Sequence, residues 1–162
     1  EQNNSTAYIA TSVAFDDEMK ERVRKHQESR PKEWKTYEIY KDIYKIIKDI
    51  SEKHQTVILD CITLLVNNLM FTDGIDIDNA SEEEINELEA YIQDQIKKLM
   101  EEVKKTDLYF VMVTNEIGLG VVPGYKLGRV YCDFVGRINQ MLGKLSDEVY
   151  FVVCGIPTKI KG

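Results

Sequence analysis

The sequence contains no apolar run close to the roughly 20 residues that a membrane-crossing helix needs, so no span is expected. It is also short of positive charge. The 21 Lys and Arg stand against 28 Asp and Glu, a net charge of −7 over 162 residues. Proteins that grip a nucleic-acid backbone usually carry the opposite sign, which argues against DNA or RNA as a partner. Small anions remain admissible, because a few backbone amides or one Arg can hold a phosphate on an acidic protein. Cysteine is scarce and odd in number: Cys61, Cys132 and Cys154 lie far apart, two of them in apolar runs. That pattern excludes a disulfide framework and a zinc cluster, and it predicts buried, reduced thiols in a cytoplasmic protein. Glu1-Gln-Asn-Asn-Ser5 carries no basic segment leading into an apolar stretch, the pattern of a secretory signal. Internal repeats and low-complexity segments are missing too.

What is present is an ordinary globular mixture, 43% hydrophobic and 30% charged, of a length that fits one domain over residues 1–162. Thr56-Val-Ile-Leu-Asp60 and Leu108-Tyr-Phe-Val-Met-Val-Thr114 are apolar without alternation, as strands covered on both faces are. Ala7–Ala10 and Glu148–Cys154 read the same way. Between them lie helical periodicities: Asp16–Glu28, Tyr37–Ser51 with Ile39, Ile43, Ile46, Ile47 and Ile50 on one face, Leu64–Phe71, and Tyr125–Leu145. A long helix opens at Ser81, where Ser81 and Glu84 form a capping box, and it turns Ile85, Leu88, Ile92, Ile96, Leu99 and Val103 inward. Alternating strands and helices of this kind predict an α/β fold with a mostly parallel sheet between helical layers.

In such sheets ligands bind beyond the carboxyl ends of the strands. Those ends carry Thr11-Ser12, Asp60, Thr114-Asn115-Glu116 and Gly155. Asp60 suits either a carboxylate that holds Mg²⁺, directly or through water, or a cap for the following helix. Gly118–Gly124 fails the spacing of a dinucleotide loop, with Pro123 where the third glycine belongs; it reads as a tight substrate-facing loop or a plain turn. His54 falls at a helix end, where it would meet the last carbonyls. His26 stands among Arg22, Arg24, Lys25 and Arg30; spacing alone makes this a solvated mixed-charge helix, although a neutral imidazole there could attack phosphorus. Tyr8, Tyr109 and Tyr150 lie in strand patterns and are expected in the core.

Taken in order, Tyr8-Ile-Ala-Thr-Ser12, Asp16-Asp-Glu-Met19, His26-Gln-Glu-Ser-Arg-Pro31, Trp34, Asp60-Cys-Ile-Thr63, Asn67-Asn68, Thr114-Asn-Glu-Ile-Gly118, Gly120-Val-Val-Pro123, Gly136-Arg-Ile-Asn-Gln140 and Gly155-Ile-Pro157 follow the blocks of one family. The chain resembles, over nearly its whole length, the bifunctional adenosylcobinamide kinase / adenosylcobinamide-phosphate guanylyltransferases of cobalamin biosynthesis. The resemblance implies a three-layer P-loop NTPase-like fold and two reactions. A nucleoside triphosphate, ATP or GTP, phosphorylates adenosylcobinamide; GTP then guanylylates a histidine, and the GMP passes to adenosylcobinamide phosphate. It implies that His26 is the nucleophile. It further implies nucleotide contacts at Ala10, Thr11, Ser12, Gln27, Glu28, Ser29, Arg30, Glu38 and Asp60, Mg²⁺ at Asp60, and a homotrimer. The family begins with a strand and a glycine-rich loop ending Gly-Lys-Ser, and these 162 residues contain none. We therefore expect that strand–loop–helix unit ahead of Glu1; a chain truly lacking it should lose the kinase step and expose apolar surface. A noncatalytic nucleotide- or corrinoid-binding protein, derived by losing the loop, is the alternative.

Overall fold

The computed structural model describes residues 5–13, 17–28, 30–72 and 74–162, without the side chains of Met19, Arg22 and His26. Four strands form one parallel sheet in the order β2-β1-β3-β4: β1 Thr6–Ala10, β2 Lys35–Glu38, β3 Thr56–Asp60 and β4 Tyr109–Val113. The helices are α1 Asp17–Glu28, α2 Ile47–Ser51, α3 Ile62–Phe71, α4 Glu82–Val103 and α5 Lys126–Leu145. The expected α/β architecture is thus present.

Strand order fixes where the helices lie. The path from β1 through α1 to β2 runs one way along the sheet, and every later connection between its strands runs the other way. Right-handed crossovers then put α1 on one face and the helices that follow on the opposite face. Burial agrees. Ala7, Ile9, Val57 and Leu59 alternate along β1 and β3 and are fully buried, joined in one core with Ile47, Ile50, Leu65, Leu69, Ile92, Ile96, Leu99, Phe134 and Ile138 from α2 to α5. Tyr8, Ala10, Ile58 and Asp60 point to the other face. On that face Arg30 and Trp34, which follow α1, lie against Tyr8.

α4 starts as the sequence predicts. The Ser81 hydroxyl accepts from the Glu84 N–H, and the Glu84 carboxylate accepts from the Ser81 N–H, so two otherwise unpaired amides of the first turn are satisfied.

Three expectations need correction. Tyr37–Ser51 is not one helix: Tyr37 and Glu38 finish β2, a 3₁₀ turn covers Ile43–Ile46, and only Ile47–Ser51 is α-helical. Ile43, Ile47 and Ile50 still reach the core, since a tightened turn keeps nearly the same apolar spacing. The last predicted strand, β5 (Val149–Val153), does not join the parallel sheet but pairs antiparallel with β6 (Ile156–Lys161). Cys154 and Gly155, both with positive φ, form the two-residue turn of that hairpin, so Gly155 is no ligand-facing strand end. The cysteines also divide: Cys61 is buried, Cys132 half-buried, and Cys154 exposed at the hairpin turn.

Considerable apolar surface is open. Among the described residues β4 has no strand beyond it, Tyr109 on it is 69% exposed, and Phe151, Val152, Val153, Ile156 and Ile160 of the hairpin are exposed. Tyr109 and Tyr150 are therefore not core residues. No helix among the described residues is long and apolar enough to cross a membrane.

Candidate nucleotide-binding site

Register assembles the site. Ala10 of β1 pairs with Glu38 of β2 on one side and with Asp60 of β3 on the other. Neighbouring residues in a parallel ladder point to the same face, so Glu38, Ala10 and Asp60 form one row at the carboxyl end of the sheet. The row lies on the α1 face. From the end of α1 the Gln27 amide donates to the Glu38 carboxylate at 3.1 Å. His26, one residue earlier, belongs to the same last turn of α1, its side chain outside the described residues; Ser29 lies outside them altogether.

Just behind the row sits Tyr8, only 4% exposed. Its hydroxyl donates to the Asp60 carboxylate, the Arg30 guanidinium lies over its ring 3.5 Å from the centroid, and Trp34 stacks beside it. Burial, and then the hydrogen bond to the Asp60 carboxylate, push the phenol far above its ordinary pKa, so it remains a donor at any working pH. Tyr8 is buried, as expected of a strand residue, with its hydroxyl bound to the Asp60 carboxylate. Period-two alternation held the signal, for Tyr8 shares a face with Ala10 two residues on.

The other predicted residues divide in role. Thr11 is fully buried; its hydroxyl donates to the Cys61 carbonyl at 2.8 Å and accepts from the Cys61 N–H at 2.9 Å. The Asn68 amide holds the Thr11 carbonyl at 2.6 Å. Thr11 thus fastens the end of β1 to the start of α3 and shapes the rim, with Ser12 half-buried beyond it. The rim continues through Thr63, which accepts from the Asn115 amide at 2.8 Å, to Asn139, which accepts from the Thr114 hydroxyl at 2.7 Å. Asp60 does not cap α3: the N-cap is Cys61, with no side-chain bond. The helix-cap reading of Asp60 is therefore corrected. Arg24 pairs with Glu21 and Glu28, and Lys25 approaches Glu21, all exposed. Ion pairs this exposed are weakened by solvent, so they offer little resistance to exchange for a phosphate. Gly118–Gly124 opens with a 3₁₀ turn over Ile117–Leu119 capped by the Glu116 carboxylate, and it leaves Val121 and Val122 in solvent.

Asp60 is the hard oxygen donor of this rim. Among the described residues no three His, Cys, Asp or Glu side chains gather as a metal cage. One carboxylate nevertheless fits Mg²⁺, which commonly takes one or two protein carboxylates and completes its shell with phosphate oxygens and water. The donor set suits a cation arriving with a nucleotide.

Over residues 1–160 the sequence matches the family described as cobinamide kinase / cobinamide phosphate guanyltransferase. The chain belongs to that family. It is 37% identical over 159 residues to the bifunctional adenosylcobalamin biosynthesis protein CobU of Escherichia coli, covering 98% of this chain and 87% of that protein. With the CobU of Salmonella typhimurium it shares 38% identity over 154 residues, 95% of this chain and 84% of the relative. The protein CobP of Pseudomonas aeruginosa, also named a bifunctional adenosylcobalamin biosynthesis protein, is 30% identical over the full 162 residues and 86% of its own length.

His54 departs from expectation. Its backbone N–H, not its ring, meets the final helix carbonyls, at Ile50, while its Nε2 lies 3.3 Å from the Tyr37 hydroxyl. It sits beside Gln55 and Leu108, at the amino ends of β3 and β4 and remote from the Asp60 rim. Burial first, and then Lys53 and Lys35, lower its pKa. Protonation therefore favours the unfolded chain. The stability tied to His54 is complete above the unfolded value near 6.5 and is lost as the pH falls from there through the lower folded value. Denaturant midpoints should fall between pH 7.5 and pH 5, and His54→Asn should flatten that part of the profile; an equal fall in the variant would assign it to other groups.

Proposed function

We propose that this protein is a bifunctional enzyme of adenosylcobalamin biosynthesis, acting in the cytoplasm as a homotrimer. It phosphorylates the hydroxyl of adenosylcobinamide with ATP or GTP, then transfers GMP from GTP to the phosphate through His26. The observation that carries this reading is the convergence of Ala10, Glu38, Asp60, Gln27 and Arg30 on one face and one end of the sheet. The family resemblance assigns these five to the nucleotide, and register brings them together from four separate segments.

The chemistry divides among these groups. An imidazole nitrogen of His26 forms a bond to the α-phosphorus of GTP as the α–β bridging bond breaks and pyrophosphate leaves with the electron pair. An oxygen of adenosylcobinamide phosphate then attacks the same phosphorus, and the N–P bond breaks to regenerate the histidine. Arg30 offers a fixed cation to phosphate oxygens, its guanidinium braced on the Tyr8 ring. Asp60 would hold Mg²⁺, which when bound neutralises charge on the polyphosphate. The kinase step uses the phosphate loop that the resemblance places ahead of Glu1; a strand of that unit would meet the open apolar surface at β4 and the β5–β6 hairpin.

The test is turnover by the full-length protein with GTP, Mg²⁺ and adenosylcobinamide, followed by mass spectrometry. Successive appearance of adenosylcobinamide phosphate and adenosylcobinamide-GDP is expected. Binding of GTP and corrinoid without either product would favour the noncatalytic alternative.

A further inference from the structure

The connection from β4 to α5 stands outside the nucleotide row and is built unlike an ordinary surface loop. It leaves the sheet beside Asp60, since Val113 pairs with Asp60 in the ladder, and the Asn115 amide then donates to the Thr63 hydroxyl, three residues past Asp60. Residues 117–125 carry no charged side chain, on a chain that is 30% charged. Leu119, Val121, Val122 and Tyr125 are all exposed, Val121 by 96%. Single apolar residues in solvent are ordinary, but a contiguous set marks a place of interaction.

The loop is also held. The Glu116 carboxylate accepts from the Gly118 N–H at 3.0 Å, the Arg129 guanidinium donates to the Pro123 carbonyl at 3.2 Å, and the Lys126 ammonium donates to the Ala80 carbonyl at 2.7 Å. A Cβ on Gly128 would fall 2.7 Å from the Pro123 Cβ, so the loop folds closely onto the first turn of α5. A fixed backbone thus presents the valines to solvent.

Chemistry narrows the occupant. A polyphosphate gains nothing from an uncharged loop, and the reading above gives it the charged row of Glu38, Asp60 and Arg30. An added strand needs an open backbone ladder, which β4 offers and this loop, with no strand of its own, does not. The other substrate of that reading is adenosylcobinamide, whose corrin ring has broad apolar faces edged with primary amides. Leu119, Val121 and Val122 match the faces. Thr114, Asn115 and Asn139, bonded to one another at the base of the loop, supply neutral hydroxyl and carboxamide groups that match the edge. We infer that residues 117–125 are the corrin-binding face, seating the ring one strand beyond Asp60. This rests on the proposed function.

Hydrogen exchange of the full-length protein, read by mass spectrometry, tests the placement without any variant. Adenosylcobinamide should slow exchange in residues 117–125, and so should a corrinoid lacking the aminopropanol arm, whereas GTP alone should not. Val121→Ser combined with Val122→Ser should then weaken adenosylcobinamide binding, measured by calorimetry, about tenfold or more, the scale of aliphatic side chains returned to water. GTP affinity and melting temperature should stay as they were. Unchanged corrinoid affinity, an equal loss of GTP affinity, or no protection of the loop by a bound corrinoid overturns the proposal and spares the functional reading. So does a variant that melts many degrees lower or changes its oligomeric mass, for then the loop is covered by its own chain or by a second copy. Failure of the unaltered protein to bind adenosylcobinamide at all overturns both.

Discussion

His26→Ala should abolish covalent labelling of the full-length protein by GTP carrying its label on the α-phosphate, while the unaltered protein takes up the label. The label should be lost in acid and kept in base, as a phosphoramidate is and a phosphoserine ester is not. The structural reason begins with α1. Strand order puts that helix on the face of Tyr8, Ala10 and Asp60, and its last turn is fastened to the row by Gln27 on Glu38. A helix advances only about 1.5 Å per residue, so His26 is held within one short step of that anchor. A neutral imidazole has a lone pair that can attack phosphorus. The loss should be complete, because Ala offers no nucleophile and no other histidine is near: His54, the second of two, lies at the amino end of the strands. Phosphorylation of adenosylcobinamide should survive the substitution, since that transfer needs no covalent histidine. Labelling of His26→Ala, or a label that survives acid, would assign the nucleophile elsewhere and return His26 to a solvated mixed-charge helix.

The order of elements and the one-sided core were legible because their signals are local and strong. Thr56–Asp60 announces a buried strand, and Ser81 with Glu84 announces a helix start, without help from the rest of the chain. The structure departs from the local pattern where tertiary context outweighs it. Lys35-Thr-Tyr-Glu38 has no apolar run, because an edge strand need cover only one side and can expose its ends. The isoleucines after it satisfy a 3₁₀ turn and a short α-helix as well as they would one long helix. Val149–Val153 has the composition of a central strand, yet its partner among the described residues is only β6, so its side chains lie open.

The site was legible in a different way. Asp60 could be found from position alone, as a carboxylate at the end of an apolar strand. Glu38 could not, because its own strand was invisible to the pattern, and it entered through family resemblance. Tyr8 is buried, as its strand pattern predicts. An aromatic in a strand is usually core, and only the register that sets Ala10 against Asp60 shows its hydroxyl directed at the rim.

Asp60→Asn should reduce magnesium-dependent transfer by about 10²-fold or more, the scale on which loss of one electrostatic contact in a catalytic site is felt. The fold should be unaffected, for three reasons. Asp60 does not cap α3, so the helix loses nothing when the charge goes. The Asn side chain has nearly the same shape, and its carbonyl oxygen can still accept from Tyr8. The backbone of residue 60 stays bound by the Thr11 N–H at 3.1 Å whatever side chain it bears. What does go is the negative charge, and with it the attraction for a divalent cation. The defect should be deepest at limiting Mg²⁺, with part recovered at high concentration, and calorimetry should show the same loss in the magnesium-dependent part of GTP binding. The melting temperature should move by no more than a few degrees. Rates unchanged at limiting Mg²⁺ would remove Asp60 from the metal and make it instead the hydrogen-bond acceptor that allows Tyr8 to be buried.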